Sequence, residues 1–82
     1  MNIKELTEYI ILSLVNDKDS VKVEVEQMAD KLTTVNIFVG EEDLGAVIGR
    51  SGKVANAIRT IIQAAGYNAD KKNIKINIDK RN

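Results

Sequence analysis

Two glycines separated by two residues interrupt the segment VIGRSGKVANAIRT, and this spacing constrains the fold more than any other feature of the chain. Apolar residues before Gly49 and after Gly52 follow helical spacing, so the segment predicts two helices joined by a sharp turn. One glycine would supply the unusual backbone angles that such a turn needs. The second glycine therefore calls for a further reason.

A turn without side chains at either end lets the backbone of another molecule lie directly against it. The first amides of the following helix then face an anion, and Arg50 and Lys53 add positive charge at the same place. We predict that this turn binds a phosphodiester backbone, and a purely structural turn is the alternative. The spacing of the glycines fits neither the loop that binds nucleoside triphosphates nor the dinucleotide fingerprint, so we expect no nucleotide cofactor.

The apolar periodicity changes along the chain in an order that predicts an α+β domain. Residues 2–16 show helical spacing, and the runs VKVEVEQM and TTVNIFVG alternate with period two, which is typical of two half-buried strands in a hairpin. Two helices flank the glycine turn, and IKINI predicts a last strand. The order helix, strand, strand, helix, helix, strand predicts three strands covered on one face by helices.

Two residues and a polar loop are predicted to begin or end these elements. Asp43 is placed to cap the helix before the glycine turn. Gly66 is a plausible stop for the helix after it, because glycine adopts the left-handed conformation without steric cost. A polar loop, residues 68–73, would then carry Lys71 and Lys72 to the last strand.

Composition narrows the class of protein. We expect the 82 residues to form one domain, and no apolar run is long enough for a membrane span. The chain lacks cysteine and histidine, which suits a reducing cytoplasm and leaves little support for catalysis. Residues 1–49 contain four lysines and ten acidic residues, whereas residues 50–82 contain eight basic and two acidic residues. This asymmetry indicates an anionic partner on one side of the molecule.

The segment VIGRSGKVANAI resembles the signature of the KH domain, in which an apolar pair and Gly-x-x-Gly precede a helix. The whole chain is similar to the type II form of that fold, and its size and the following AIRT resemble the small bacterial single-KH proteins of the KhpA (YlqC) family. The resemblance implies one KH domain over residues 1–82, with a three-stranded mixed sheet, and a turn that clamps about four nucleotides of single-stranded RNA.

The resemblance also implies roles for individual residues. Gly49, Arg50, Ser51 and Gly52 would form the clamp with Lys53, and Ser51 would either cap the following helix or donate to a phosphate. The groove for the bases would include Val47, Val54 and Ala55. Lys71 and Lys72, in the loop that borders this groove, would extend the binding surface, and a solvated loop is the alternative. Ile48 and Ile58 are assigned to the core.

Two departures from the family pattern indicate weak binding with little sequence preference. A large aliphatic residue is common in KH domains where Ala55 stands, and the bacterial family often has a basic residue in place of Ala46. The three aromatic residues are too scattered along the sequence to form a stacking platform, so aliphatic contacts would hold the bases.

The sequence supports two functions from different classes. The first is a non-enzymatic, cytoplasmic RNA-binding protein in post-transcriptional regulation or RNA chaperoning, without cofactor or metal. Family resemblance implies that it acts as a homodimer or as a heterodimer with a larger KH-containing protein. The second is a protein-interaction module that contacts RNA incidentally, which the formal net charge of zero keeps open.

Overall fold

Six regular elements occur in the predicted order in the structure, which is a computed structural model. It describes residues 2–70 and 73–81, with the backbone alone for residues 68–70. The elements are α1 (Ile3–Leu14), β1 (Lys22–Ala29), β2 (Leu32–Val39), α2 (Glu41–Ile48), α3 (Lys53–Asp70) and β3 (Asn73–Lys80). Short 3-10 turns, Lys18–Ser20 and Arg50–Gly52, connect α1 to β1 and α2 to α3.

The three strands form one mixed sheet in the order β1-β2-β3. β1 and β2 are the predicted antiparallel hairpin, with Val23 opposite Ile37. β3 runs parallel to β2, with Ile76 opposite Val35. β3 is parallel to β2 because the two helices between them return the chain to the end of the sheet at which β2 begins. The predicted α+β class and the mixed sheet are confirmed.

The helices cover one face of the sheet and leave the other open. The buried face of α3 consists of Ala55, Ile58, Ile62 and Gly66, whose spacings of three and four residues keep them on one side of a helix. Ile58 and Ile62 pack with the inward-facing strand residues in a core of Val and Ile. On the open face, the amide of Asn77 donates to Asn36 Oδ1 at 3.0 Å across β2 and β3.

The prediction that Gly66 ends the third helix is wrong. α3 continues through this residue to Asp70, so the predicted polar loop is shorter than expected. Gly66 is buried, and a Cβ atom there would overlap Ile74 Cδ1 and lie 2.9 Å from Ile74 Cγ1. Its lack of a side chain therefore serves the close packing of α3 on β3.

We expect Gly66→Ala to lower the free energy of unfolding, although alanine is the better helix former by about 1 kcal/mol. Overpacking a core costs about 1–3 kcal/mol, and the atoms that the new methyl group would meet belong to the buried side chain of Ile74. Urea unfolding measures the change. Ile74→Val removes the Cδ1 atom, so Gly66→Ala should cost much less in that background. An equal cost in both backgrounds would show that this contact is not the cause.

Candidate functional site

The first turn of α2 is tied to the connection that follows α1. Gly40 is the N-cap and has no side chain to offer, and Asp43 lies inside the helix instead of capping it, which corrects the sequence prediction. The Asp43 carboxylate is only 2% exposed and accepts from the backbone N–H groups of Asn16 and Asp17 at 3.0 and 2.9 Å. These two bonds, to Asn16 and then Asp17, hold the pKa of Asp43 below its ordinary value, with help from the charge of Lys18 and against the effect of burial.

The turn between α2 and α3 is sharp, as predicted, because three of its four residues have positive φ. Gly49 has φ +76°, Ser51 has φ +57° and Gly52 has φ +77°. Gly49 closes α2 by donating its N–H to Gly45 O at 2.8 Å. L-residues other than Asn and Asp rarely adopt such angles, so the backbone of Ser51 marks the turn as a specialised one.

The two glycines serve different physical needs. A Cβ atom on Gly49 would overlap Val54 Cγ2 and lie 2.8 Å from the Val54 backbone nitrogen, so the space is already filled from within the molecule. A Cβ atom on Gly52 would meet nothing within 4 Å. Only Gly52 therefore leaves an open side where another backbone could approach. The structure thus gives the glycine at 49 a packing reason that the sequence prediction did not include.

The turn itself carries amide donors, whereas the N–H group of the first residue of α3 is already bonded. Gly52 donates to Gly49 O at 3.3 Å, and Lys53 donates to Arg50 O. The N–H groups of Arg50 and Ser51 have no backbone acceptor among the described residues. They are the donors that an anion at this turn could use.

Two exposed cations accompany these donors. Arg50 and Lys53 are exposed, and neither side chain forms a hydrogen bond or ion pair with a described residue. The Ser51 hydroxyl is also exposed and caps no described element, which leaves it available to a ligand. The two halves of the sequence are not separate on the surface, because Lys22 and Glu24 of the acidic half lie beside Lys80 and Arg81 of the basic half.

The apolar candidates beside the turn require correction. Val47 has no exposed surface and Ala55 is only 4% exposed, so their predicted contacts with bases are wrong. Val54 is half-buried and stays a candidate. Ile48, which is predicted to be a core residue, is half-buried, so it replaces Val47 as the apolar candidate beside the turn. Ile58 is a core residue, as predicted. Ile48 and Val47 exchange roles because the buried face of α2 carries Asp43 and, one turn later, Val47.

Two further findings concern the predicted lysines and the character of the helices. Lys71 and Lys72, predicted to extend the binding surface, lie outside the described residues. In residues 2–70 and 73–81, no helix has both the length and the apolar character to cross a membrane.

Comparison with known proteins identifies a matching family and several similar proteins. The model of the KhpA/KhpB KH domain matches residues 4–78. A protein of Clostridium perfringens named RNA-binding protein KhpA is 41% identical over 69 residues, which cover 84% of this chain and 91% of that protein. Proteins of the same name from Borreliella burgdorferi and Aquifex aeolicus are 39% and 37% identical over 68 and 70 residues. These alignments cover 83% and 85% of this chain, and 82% and 87% of the relatives.

Proposed function

The chain belongs to the KhpA/KhpB KH-domain family, and from this premise we propose that it is an RNA-binding protein that grips single-stranded RNA at Gly49–Gly52. The observation that carries the proposal is the geometry of this turn. It combines two amide donors without a backbone acceptor, two exposed cations and an open side at Gly52. Each of these features favours a phosphate group, and together they suit a phosphodiester chain.

In this mechanism the RNA backbone lies against Gly52. The N–H groups of Arg50 and Ser51 donate to a phosphate oxygen, and the Ser51 hydroxyl donates beside them. Arg50 and Lys53 supply the charge. The half-buried side chains of Ile48 and Val54 provide the apolar contact for the neighbouring bases, which replaces the groove predicted from Val47, Val54 and Ala55.

The proposal extends to the remaining properties of the chain. We place it in the cytoplasm as a single KH domain without catalytic activity, acting in post-transcriptional regulation or as an RNA chaperone. A unit that clamps about four nucleotides binds weakly by itself. Action as a homodimer, or with a larger KH-containing protein, would raise the affinity through effective concentration.

The second candidate function is a protein-interaction module. Its support is the exposure of large apolar side chains, of which Met28 and Ile61 are 60% and 51% exposed. Such side chains are common singly on protein surfaces. Replacement of Arg50 and Ser51 with aspartate separates the two functions, because incidental RNA contact would not depend on this turn.

We expect the protein to bind a short single-stranded RNA more tightly than the corresponding duplex. The affinity should fall with salt at a logarithmic slope between about −1.4 and −2.8, which corresponds to two to four neutralised phosphates. Fluorescence anisotropy of a labelled RNA across a series of salt concentrations measures both quantities. Absence of binding at low salt, or equal affinity for duplex and single strand, would contradict the proposal.

A further inference from the structure

Asp43 lies at the opposite end of α2 from the proposed RNA-binding turn. Its two carboxylate oxygens accept one backbone N–H each from Asn16 and Asp17, which are 27 and 26 residues earlier in the chain. α2 has only eight residues and no side-chain cap at Gly40. The bonds to Asp43 therefore join the beginning of this short helix to the segment that follows α1.

Asp43 and Val47 anchor the same face of α2. They are one helical turn apart, and both are almost completely buried. Leu44 of the same helix also packs against the core. Without the bonds of Asp43, only apolar contacts such as those of Leu44 and Val47 would hold the helix, and because these are non-directional the helix could tilt.

A tilt of α2 would reach the RNA-binding turn. Gly49 lies about 9 Å along the helix axis from Asp43, at a rise of 1.5 Å per residue. A Cβ atom on Gly49 would overlap the Val54 side chain and lie 2.8 Å from its backbone nitrogen, so little space separates the end of α2 from the start of α3 at this residue. Functional sites of this kind tolerate a misplacement of about 0.5 Å. A small rotation of α2 would therefore misplace the donors of Arg50 and Ser51.

We propose that Asp43 is a positioning residue for RNA binding: its bonds to Asn16 and Asp17 set the direction of α2 and thereby the geometry of Gly49–Gly52. This inference rests on the proposed function, and it deepens that function by assigning a residue remote from the RNA. The lowered pKa of Asp43 agrees with a carboxylate that stays ionised in this role.

Asp43→Asn tests the inference, because asparagine has the same shape but offers one acceptor oxygen in place of two. Its amide would point a donor at a backbone N–H, so one of the two bonds is lost. Glu42→Gln is the matched control, since Glu42 precedes Asp43 in the same helical turn, is exposed and loses the same charge. We expect Asp43→Asn to weaken RNA binding by about 2- to 30-fold, the range for substitutions that act through intervening structure. Glu42→Gln should leave the affinity close to that of the wild type.

Two measurements distinguish positioning from a purely structural role. Amide NMR shifts should change at Gly49–Lys53 in Asp43→Asn as well as at Asn16 and Asp17. In a protein that also carries Arg50→Asp and Ser51→Asp, the effect of Asp43→Asn on RNA affinity should largely disappear, because the turn through which it acts is disabled. Shifts confined to Asn16 and Asp17, with unchanged affinity of the folded protein, would overturn the inference.

An unstable variant, or a wild-type protein that binds no RNA, requires a further condition and a second measurement. All variants are measured with the same concentration of trimethylamine oxide, which favours the folded state. If the wild type binds no RNA, the proposed function fails. The shifts at Gly49–Lys53 still decide whether Asp43 sets the geometry of the turn.

Discussion

Replacing Arg50 and Ser51 together with aspartate is expected to weaken the binding of single-stranded RNA by about 100-fold. A hydrogen bond to a charged group contributes about 1.5–3 kcal/mol, and two such losses at the lower value correspond to roughly this factor. Repulsion between the new carboxylates and phosphate adds to the effect. Both side chains are exposed, and aspartate tolerates the positive φ of Ser51, so the fold should be retained.

Lys75→Asp with Asn77→Asp provides a control with the same change in charge. Both positions are exposed on β3, on the open face of the sheet that no helix covers. A general electrostatic effect would weaken RNA binding equally in the two double variants. Binding at Gly49–Gly52 requires that the loss be much larger for Arg50 and Ser51. Fluorescence anisotropy gives the affinities, and circular dichroism verifies the fold. Wild-type affinity in the folded Arg50→Asp, Ser51→Asp variant would exclude the turn as the RNA site.

Gly49→Ala is expected to lower the free energy of unfolding by about 2–6 kcal/mol. Gly49 has φ +76° and ψ 176°, a region essentially restricted to glycine that costs an L-residue about 1–3 kcal/mol, and overpacking costs about 1–3 kcal/mol. The second cost cannot be relieved by a side-chain rotation alone, because the new Cβ would lie 2.8 Å from the Val54 backbone nitrogen. Urea unfolding followed by circular dichroism measures the loss.

Gly52→Ala is the comparison in which packing adds no cost. Gly52 has almost the same φ as Gly49, but a Cβ atom there meets nothing within 4 Å. Its substitution should therefore cost only the backbone strain, about 1–2 kcal/mol. The added methyl group would nevertheless occupy the side from which RNA approaches. The loss of binding free energy should therefore exceed the loss of unfolding free energy. Equal destabilisation by the two substitutions would show that the contact with Val54 has little energetic weight.

The limits of sequence reasoning are clearest at α2. The acidic residues before the helix predicted a cap at Asp43, because a carboxylate near a helix N-terminus usually has that role. In the structure, its partners are instead the backbone N–H groups of Asn16 and Asp17. A contact across 26 residues leaves no local pattern. Without it, the orientation of the buried face of α2 was uncertain, and Val47 and Ile48 were assigned to the wrong environments.

Local periodicity determined the order of helices and strands, the hairpin of β1 and β2 and the sharp turn at Gly49–Gly52. These features depend on neighbours within a few residues, so the sequence contains their signals directly. The signature of the family likewise lies in one continuous segment. Tertiary structure alone decided which glycine is packed and which is open, and why Gly66 lies within a helix. These properties depend on residues that are distant in sequence, or on side chains whose directions only the folded backbone determines.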